Sequence, residues 1–379
     1  MTAIHTQPDT LQKLRILSRD SQYDLACACG TRDDEHRTRS ADHKWIYPVV
    51  LPDGRRTFLF KTLVSNVCAN DCRYCPLRAE KDPRRCTLSS DEIAAAFMRH
   101  LRAGLVSGIF LTSGVTGSPD AAMERINGAA RILRRREGFK GYMHLKVIPG
   151  ASDAAVTEAV SLASAVSINI ETAGERHFRT LTARKDYLRD VVRPLKLISS
   201  LTDKNGPYRR VHQTTQFVVG AAGESDSELV RYSGGLYRKL GMHRVYFSAY
   251  QRGCGDPSLP GERSGYTNEQ MLTREHRLYQ TDWLLRKYGF GADEIPFDAA
   301  GNLSLDTDPK EQWARRHPEC FPVNINRADR NELLRVPGLG LTGVRRILAL
   351  RGSGGRLHGL EEIGRVGKVL ARAREYVMF

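Results

Sequence analysis

The run Thr57-Phe-Leu-Phe-Lys-Thr-Leu-Val64 leads into the loop Cys68-Ala-Asn-Asp-Cys72-Arg-Tyr-Cys75, and the rest of this chain is laid out around that junction. The first stretch is apolar and rich in residues that favour strands. The second carries three cysteines spaced x3 and x2, with an aromatic just before the third. Three thiolates on one short loop suit a soft metal or an iron–sulfur cluster. A closed zinc site would show a fourth ligand, as a second CxxC unit or a His pair. The loop holds no fourth cysteine. A [4Fe–4S] cube held by three thiolates leaves one iron open to another ligand.

Downstream of the loop the pattern alternates. Apolar, β-rich runs fall at 57–64, 108–112, 142–148, 166–170, 212–219 and 243–249. Helical stretches fall between them near 89–104, 119–137, 152–164, 184–202 and 225–240. Such alternation predicts parallel strands joined by right-handed crossovers. Six units predict an α/β fold, a partial (β/α)6 TIM-like barrel, with chemistry at the C-terminal ends of the strands. His144 and Lys146 share one strand face, as do Ser167, Asn169 and Glu171, and Tyr246, Ser248 and Tyr250. Polar residues repeating along one face suit a ligand-lined interior. The basic segment 178–187 reads as a solvated loop. A short helix is expected over Asp9–Ser18 and a longer one over Asn268–Tyr288.

The chain has 379 residues, 41% of them hydrophobic, enough for one large domain and a small one. No apolar run approaches the roughly 18 residues needed to span a bilayer. The N-terminus lacks the apolar core of a signal peptide. A cytoplasmic protein without a membrane partner is expected. Eight cysteines then point to metal or catalysis rather than disulfides. Cys27 and Cys29 form a CxC pair, and with Cys86 and Cys254 they leave a second cluster open. A net charge of +15 favours a polyanionic partner.

The C-terminal stretch reads as a separate unit. A helix over Ala328–Arg335 is followed by the turn Val336-Pro-Gly-Leu-Gly340 and a second helix over Leu341–Arg351. Residues 360–368 look like a degenerate copy of the turn, followed by a helix over Lys368–Val377. Residues 322–379 carry 11 Arg and Lys against five Asp and Glu. Glycines at such a turn let backbone amides face a phosphate.

The cysteine loop resembles the CxxxCxΦC signature of the radical S-adenosylmethionine (SAM) superfamily. Cys68, Cys72 and Cys75 match as cluster ligands and Tyr74 as Φ. The resemblance implies a [4Fe–4S] cluster, SAM on the open iron, and a 5′-deoxyadenosyl radical that abstracts hydrogen from substrate. It implies a SAM-lining role for Ser113 and Gly114, although the acidic residue usual in that segment is absent. It implies the same for Asn169 and Glu171 on the fourth strand. The stretch Gly220-Ala-Ala-Gly-Glu224-Ser-Asp is similar to the superfamily segment that passes the adenine, which adds Gly220 and Glu224. The C-terminal turn resembles the helix-hairpin-helix DNA-binding motif, which implies phosphate contacts at Gly338, Gly340, Arg345 and Arg346.

The order of these segments resembles a DNA modification or repair radical SAM family. Members are often encoded beside a uracil-DNA-glycosylase-like protein. The implied partners are DNA, a one-electron donor such as flavodoxin or ferredoxin, and that glycosylase-like protein. The expected organisation is an N-terminal extension (1–56), a partial barrel (57–290), a linker or cap (291–321) and a small all-α helix-hairpin-helix domain (322–379). Two other readings stay open: an RNA-modifying radical SAM enzyme, and a DNA-binding protein whose cluster is structural.

Overall fold

The computed structural model describes residues 8–21, 45–50 and 54–379, which divide into two compact units. Among the described residues no helix is long and apolar enough to cross a membrane.

The first unit comprises Met1–Glu224 and Gly235–Met271. It opens with α1 (Thr10–Asp20), which Asp9 and Gln12 start as a reciprocal capping box. Lys13 on α1 pairs with Glu92 at 2.8 Å. Two strands follow, β1 (Ile46–Val50) and β2 (Arg56–Leu63), paired antiparallel. The crossovers then run α2 (Ser90–Arg102), β3 (Gly108–Thr112), α3 (Pro119–Arg131), β4 (Tyr142–Lys146), α4 (Asp153–Leu162) and β5 (Ala165–Ser167). They continue as α5 (Glu175–Leu181), α6 (Arg193–Thr202), β6 (His212–Val219), α7 (Asp226–Leu240), of which only the part from Gly235 belongs to this unit, and β7 (Arg244–Ala249). A short α8 (Pro260–Arg263) comes before α9 (Asn268–Lys287), whose first residues close the unit.

The seven strands lie in the order of the chain, with β2 to β7 all parallel. Right-handed crossovers that always step the same way put the crossover helices of this unit on one face of the sheet. The sheet curls as a partial barrel. Ile109, Leu111, Met143, Leu145, Val166, Phe217 and Phe247 are buried, against helix residues such as Phe97, Met123 and Val160. The opposite face is polar. The register aligns Lys61 with Phe110 and His144, then Lys146 with Ser167 and Thr214, then Gln216 with Tyr246.

Three expectations change here. The sheet has seven strands, because β1 adds an antiparallel edge that the proline in Ile46-Tyr-Pro-Val-Val50 disguises. Proline is tolerated at a sheet edge, where its missing N–H faces no neighbour. Residues 8–21 and 45–50 are therefore part of this unit rather than an extension outside it. The helix expected over 184–202 is instead a π-helical stretch, Tyr187–Val192, running into α6.

The second unit comprises Ser225–Gly234 and Leu272–Phe379. Asp226 ties its two segments together, accepting from Arg274 Nε at 2.7 Å and from the Leu303 amide at 2.9 Å, with both side chains of the ion pair buried. Next come α10 (Pro309–Arg316), β8 (Val323–Asn324), α11 (Arg330–Arg335), α12 (Leu341–Gly352), α13 (Lys368–Ala371) and β9 (Val377–Met378). Residues 291–321, expected as a linker or cap, contain a helix of their own. Within them α10 buries Trp313, and Lys310 Nζ donates to Leu339 O at 2.6 Å. The C-terminal part is not all-α. The last helix stops early, so Val377 and Met378 pair in parallel with Val323 and Asn324. Leu333, Leu334, Val336, Leu339, Val344, Ile347, Leu360, Ile363 and Ala373 form its core.

Candidate functional site

The cysteine loop leaves the C-terminal end of β2 and is held from every side by backbone and side-chain bonds. The Gly114 amide donates to Ser65 O at 2.7 Å and the Ala69 amide to Val115 O at 2.9 Å. The Asp71 carboxylate accepts from Thr182 Oγ1, from the Ala183 amide at 2.9 Å and from the Arg184 amide at 3.3 Å. Burial raises the Asp71 carboxyl, but these donors outweigh it and hold it below its usual value. Arg85 spans the far side, donating to Asn66 O, Leu77 O, Arg78 O and Lys81 O. The Asp256 amide, from the loop after β7, donates to Arg73 O at 2.8 Å. Gly114 is required by close approach, since a Cβ there would lie 2.4 Å from Val67 O.

The three thiols line one cavity at the C-terminal ends of the strands. The Val115 amide donates to Cys68 Sγ at 3.5 Å and the Leu77 amide to Cys75 Sγ at 3.4 Å. Among the described residues no three His, Cys, Asp or Glu side chains converge on a point small enough for one ion. Three soft donors spread along a cavity wall, two of them accepting amide bonds, fit the cluster the loop implies. Burial pushes the Cys72 thiol up, with Glu171 and Cys68 adding to it and Lys185 opposing, and pushes Cys75 up to about 12. Iron loading at neutral pH therefore displaces protons from this loop.

Ser113, Gly114, Asn169 and Glu171 line the same cavity. Glu171 is 4% exposed and adopts φ 69°. Among the described residues it is the sole non-glycine in the left-handed region. Its backbone is clamped there by β6: its amide donates to Gln216 O at 3.0 Å and its carbonyl accepts from the Val218 amide at 2.7 Å. Strain held this way marks functional sites. The Tyr74 hydroxyl donates to the Glu171 carboxylate, and its ring packs on Leu181, Val218, Ala221 and Tyr250. Burial, with Glu171 next, holds the Tyr74 phenol well above its usual value.

Gly220 and Glu224 do not line this cavity. Glu224 is buried and folds back on its own turn, accepting from the Gly220 amide and from the Ala222 amide at 3.1 Å. Gly220, at φ 82°, makes that turn possible. Lys185, read from sequence as part of a solvated loop, reaches the cavity and hydrogen-bonds Cys72 Sγ. Burial lowers its ammonium, and Cys72 and Glu171 outweigh that and raise it. Lys146, Gln216, Ser248 and Cys254 also line the cavity. Lys146 and Ser248 were legible as members of polar strand faces; Lys185 carried no such signal. Tyr250 does not offer its hydroxyl to the cavity, because Glu262 accepts from it. Cys86 is buried behind α1 and lines no part of the cavity, and Cys27 and Cys29 lie outside the described residues.

In the second unit the turn Val336–Gly340 joins α11 to α12 as expected. Gly340 is the N-cap of α12 and has no side chain of its own to close the first turn; the Tyr288 hydroxyl stands there, against the Leu341 amide. Gly338 serves packing instead. A Cβ there would meet Val369 O at 2.5 Å and the Ala373 amide at 2.9 Å, so this glycine seats the turn against α13. Arg346 is committed in the same way, donating to Ile363 O at 2.8 Å across the two turns. Arg345 is exposed on α12.

Burial lowers the Lys310 ammonium from its ordinary 10.5 to about 7, with Asp308 opposing. Between those values the unfolded chain binds the extra proton, so stability rises with pH across that window. The slope reaches at most about 1.4 kcal/mol per pH unit and is spent below pH 7. Denaturant melts of the second unit at pH 7, 8 and 9 should show the rise, and Lys310→Met should flatten it.

Comparison with known proteins gives one family match. Residues 62–232 match the model described as the radical SAM superfamily. A search of curated proteins found no match. Among solved structures, the chain is similar to HydG, a maturase of the [FeFe]-hydrogenase, at 12% identity and TM-score 0.44, covering 59% of this chain and 49% of that one. It is similar to methylornithine synthase (PylB) at 16% identity and TM-score 0.44, covering 60% and 63%. It is also similar to SuiB of Streptococcus suis at 11% identity and TM-score 0.44, covering 61% and 48%. The chain thus spans about half to three-fifths of the length of each of these structures.

Proposed function

For a chain that carries a radical SAM superfamily domain over residues 62–232, we propose an enzyme that modifies or repairs a nucleotide in DNA. Proteins of this superfamily use a [4Fe–4S] cluster and SAM, which when bound supply hydrogen-atom abstraction. Cys68, Cys72 and Cys75 hold the cluster. Asn169, Glu171 and Ser113 present the polar groups around SAM, and Tyr74 and Lys185 hold the Glu171 carboxylate in place. The apolar wall of Leu63, Val115, Val147, Ile148 and Val218 keeps water from the reacting centre. The substrate nucleotide leaves the base stack to reach a site at the end of a barrel. A one-electron donor of flavodoxin or ferredoxin type belongs to the proposal.

The observation that carries the DNA reading is a groove on the second unit. It is lined by the two glycine turns and by Arg346, Arg365 and Lys368, with no Asp or Glu among its lining residues. Cations without acids, beside two glycine turns, suit a phosphate backbone.

The test is air-free reconstitution, then SAM, reductant and either duplex DNA, RNA or no nucleic acid. We expect about four irons per chain and 5′-deoxyadenosine formation that duplex DNA stimulates. Charge reversal of Arg345, Arg365 and Lys368 should lower that stimulation. It should also cut the slope of log affinity against log salt by about one for each phosphate no longer neutralised. Stimulation by RNA alone would move the substrate to RNA. Turnover indifferent to every nucleic acid would sink the reading.

A further inference from the structure

The groove on the second unit is more than a phosphate cradle. Trp283, from α9, lines it together with Gly340, Thr342 and Val369. Trp283 is 42% exposed and Val369 63% exposed. Tyr288 Oη accepts from the Trp283 indole and from the Leu341 amide, so the indole is oriented and its one polar atom is satisfied. Arg286 lies over the ring with its guanidinium carbon 5.6 Å from the centroid, and that guanidinium is held by Asp282 at 2.7 Å. An oriented aromatic that still shows much of its surface has no use in binding phosphates alone. It is what a flat, apolar ligand group requires.

We propose that this groove takes an unstacked base of a DNA strand against Trp283, with the neighbouring phosphates on Arg365 and Lys368. The proposal rests on the nucleic-acid reading above and deepens it. A module that only tracks the backbone binds any duplex. A module with a stacking platform prefers DNA in which a base is already free of its stack. The basic, acid-free lining selects a polyanion over a protein helix as the occupant.

The molecule supplies its own reporter. The other two tryptophans, Trp45 and Trp313, are buried at 3% and 5% exposure, so emission that responds to a ligand reports Trp283. The full chain is titrated with a fully paired duplex, the same duplex carrying one unpaired base, and a single strand. Quenching is expected with the bulged duplex and the single strand, with weaker binding and little quenching for the paired duplex. Trp283→Ala should weaken binding to the bulged duplex by about 5- to 100-fold, as loss of one base–aromatic stack does. Trp283→Phe keeps a stacking face and should retain most of the affinity, which guards against a variant that merely fails to fold. Undiminished binding by Trp283→Ala, or equal quenching by the paired duplex, would overturn the proposal and leave the nucleic-acid reading standing. Failure of the unaltered protein to bind any of the three probes would remove both. An emission change that follows protein concentration without DNA would make the groove a self-association surface and end the proposal.

Discussion

Cys72→Ala should give a folded protein that no longer retains iron. After air-free reconstitution, iron should fall from about four per chain to near zero. Formation of 5′-deoxyadenosine should fall below detection. Cys72 is the buried member of the three thiols, and Lys185 and Glu171 are arranged about it. Two remaining thiols cannot hold a cube whose other corner must stay open. The fold should survive, because the loop is held by groups other than its sulfurs: the Asp71 carboxylate on 182–184, the Arg85 guanidinium on four carbonyls, and the ring of Tyr74 in its apolar nest. Iron content, visible absorbance and far-UV circular dichroism check the three parts of the expectation. Cys86→Ala is the control. Its sulfur faces Lys13 O at 3.9 Å, away from the cavity, so that variant should keep its iron. Iron retained by Cys72→Ala at the level of the unaltered chain would place the cluster elsewhere.

The second large effect separates two glycines that look equivalent in the sequence. Gly338→Ala should destabilise the second unit by about 3 kcal/mol or more, joining a left-handed backbone penalty of about 1–2 kcal/mol to a clash with backbone atoms that have nowhere to move. Gly338 sits at φ 86°. Gly340→Ala should cost within about 1 kcal/mol. Gly340 has an ordinary extended backbone at φ −107°, and its Cβ would meet only Tyr288 Oη at 3.4 Å. Its effect should fall on DNA affinity, because the new methyl group stands at the mouth of the α12 amides. Thermal melts and salt-step titrations of both variants check this. A stable Gly338→Ala protein would show that the two turns are not packed as described.

Much of the barrel was legible because its parallel strands are short runs rich in apolar and β-branched residues with polar residues falling on one face, and the first helices between them carry their own caps. Ser89, Ser118 and Ser152 each accept from the third helical residue at the start of α2, α3 and α4. β1 is hidden from such a reading because Pro48 argues against a strand until an edge position excuses it. The C-terminal helix is shorter than its pattern suggests because Val377 and Met378 can be helical or extended, and pairing with β8 settles it. Glu224 shows the opposite failure. It falls in a segment that resembles a ligand-binding stretch, yet its carboxylate is consumed by amides two and four residues away.

The cysteine loop with its strand marks what the sequence alone determined. The spacing of Cys68, Cys72 and Cys75 is local, three sulfurs on one turn of chain, and local chemistry can be read in a line. Which residues face those sulfurs was decided only in three dimensions. Lys185 lies 110 residues beyond Cys75 along the chain. It reaches Cys72 because the segment after α5 is tied to the cysteine loop, with Thr182, Ala183 and Arg184 donating to Asp71. Glu171 becomes a site residue through a left-handed backbone that β6 imposes from 45 residues away. The cysteine pattern specifies the donors; the crossovers, each closing its own loop against the sheet, choose the company they keep.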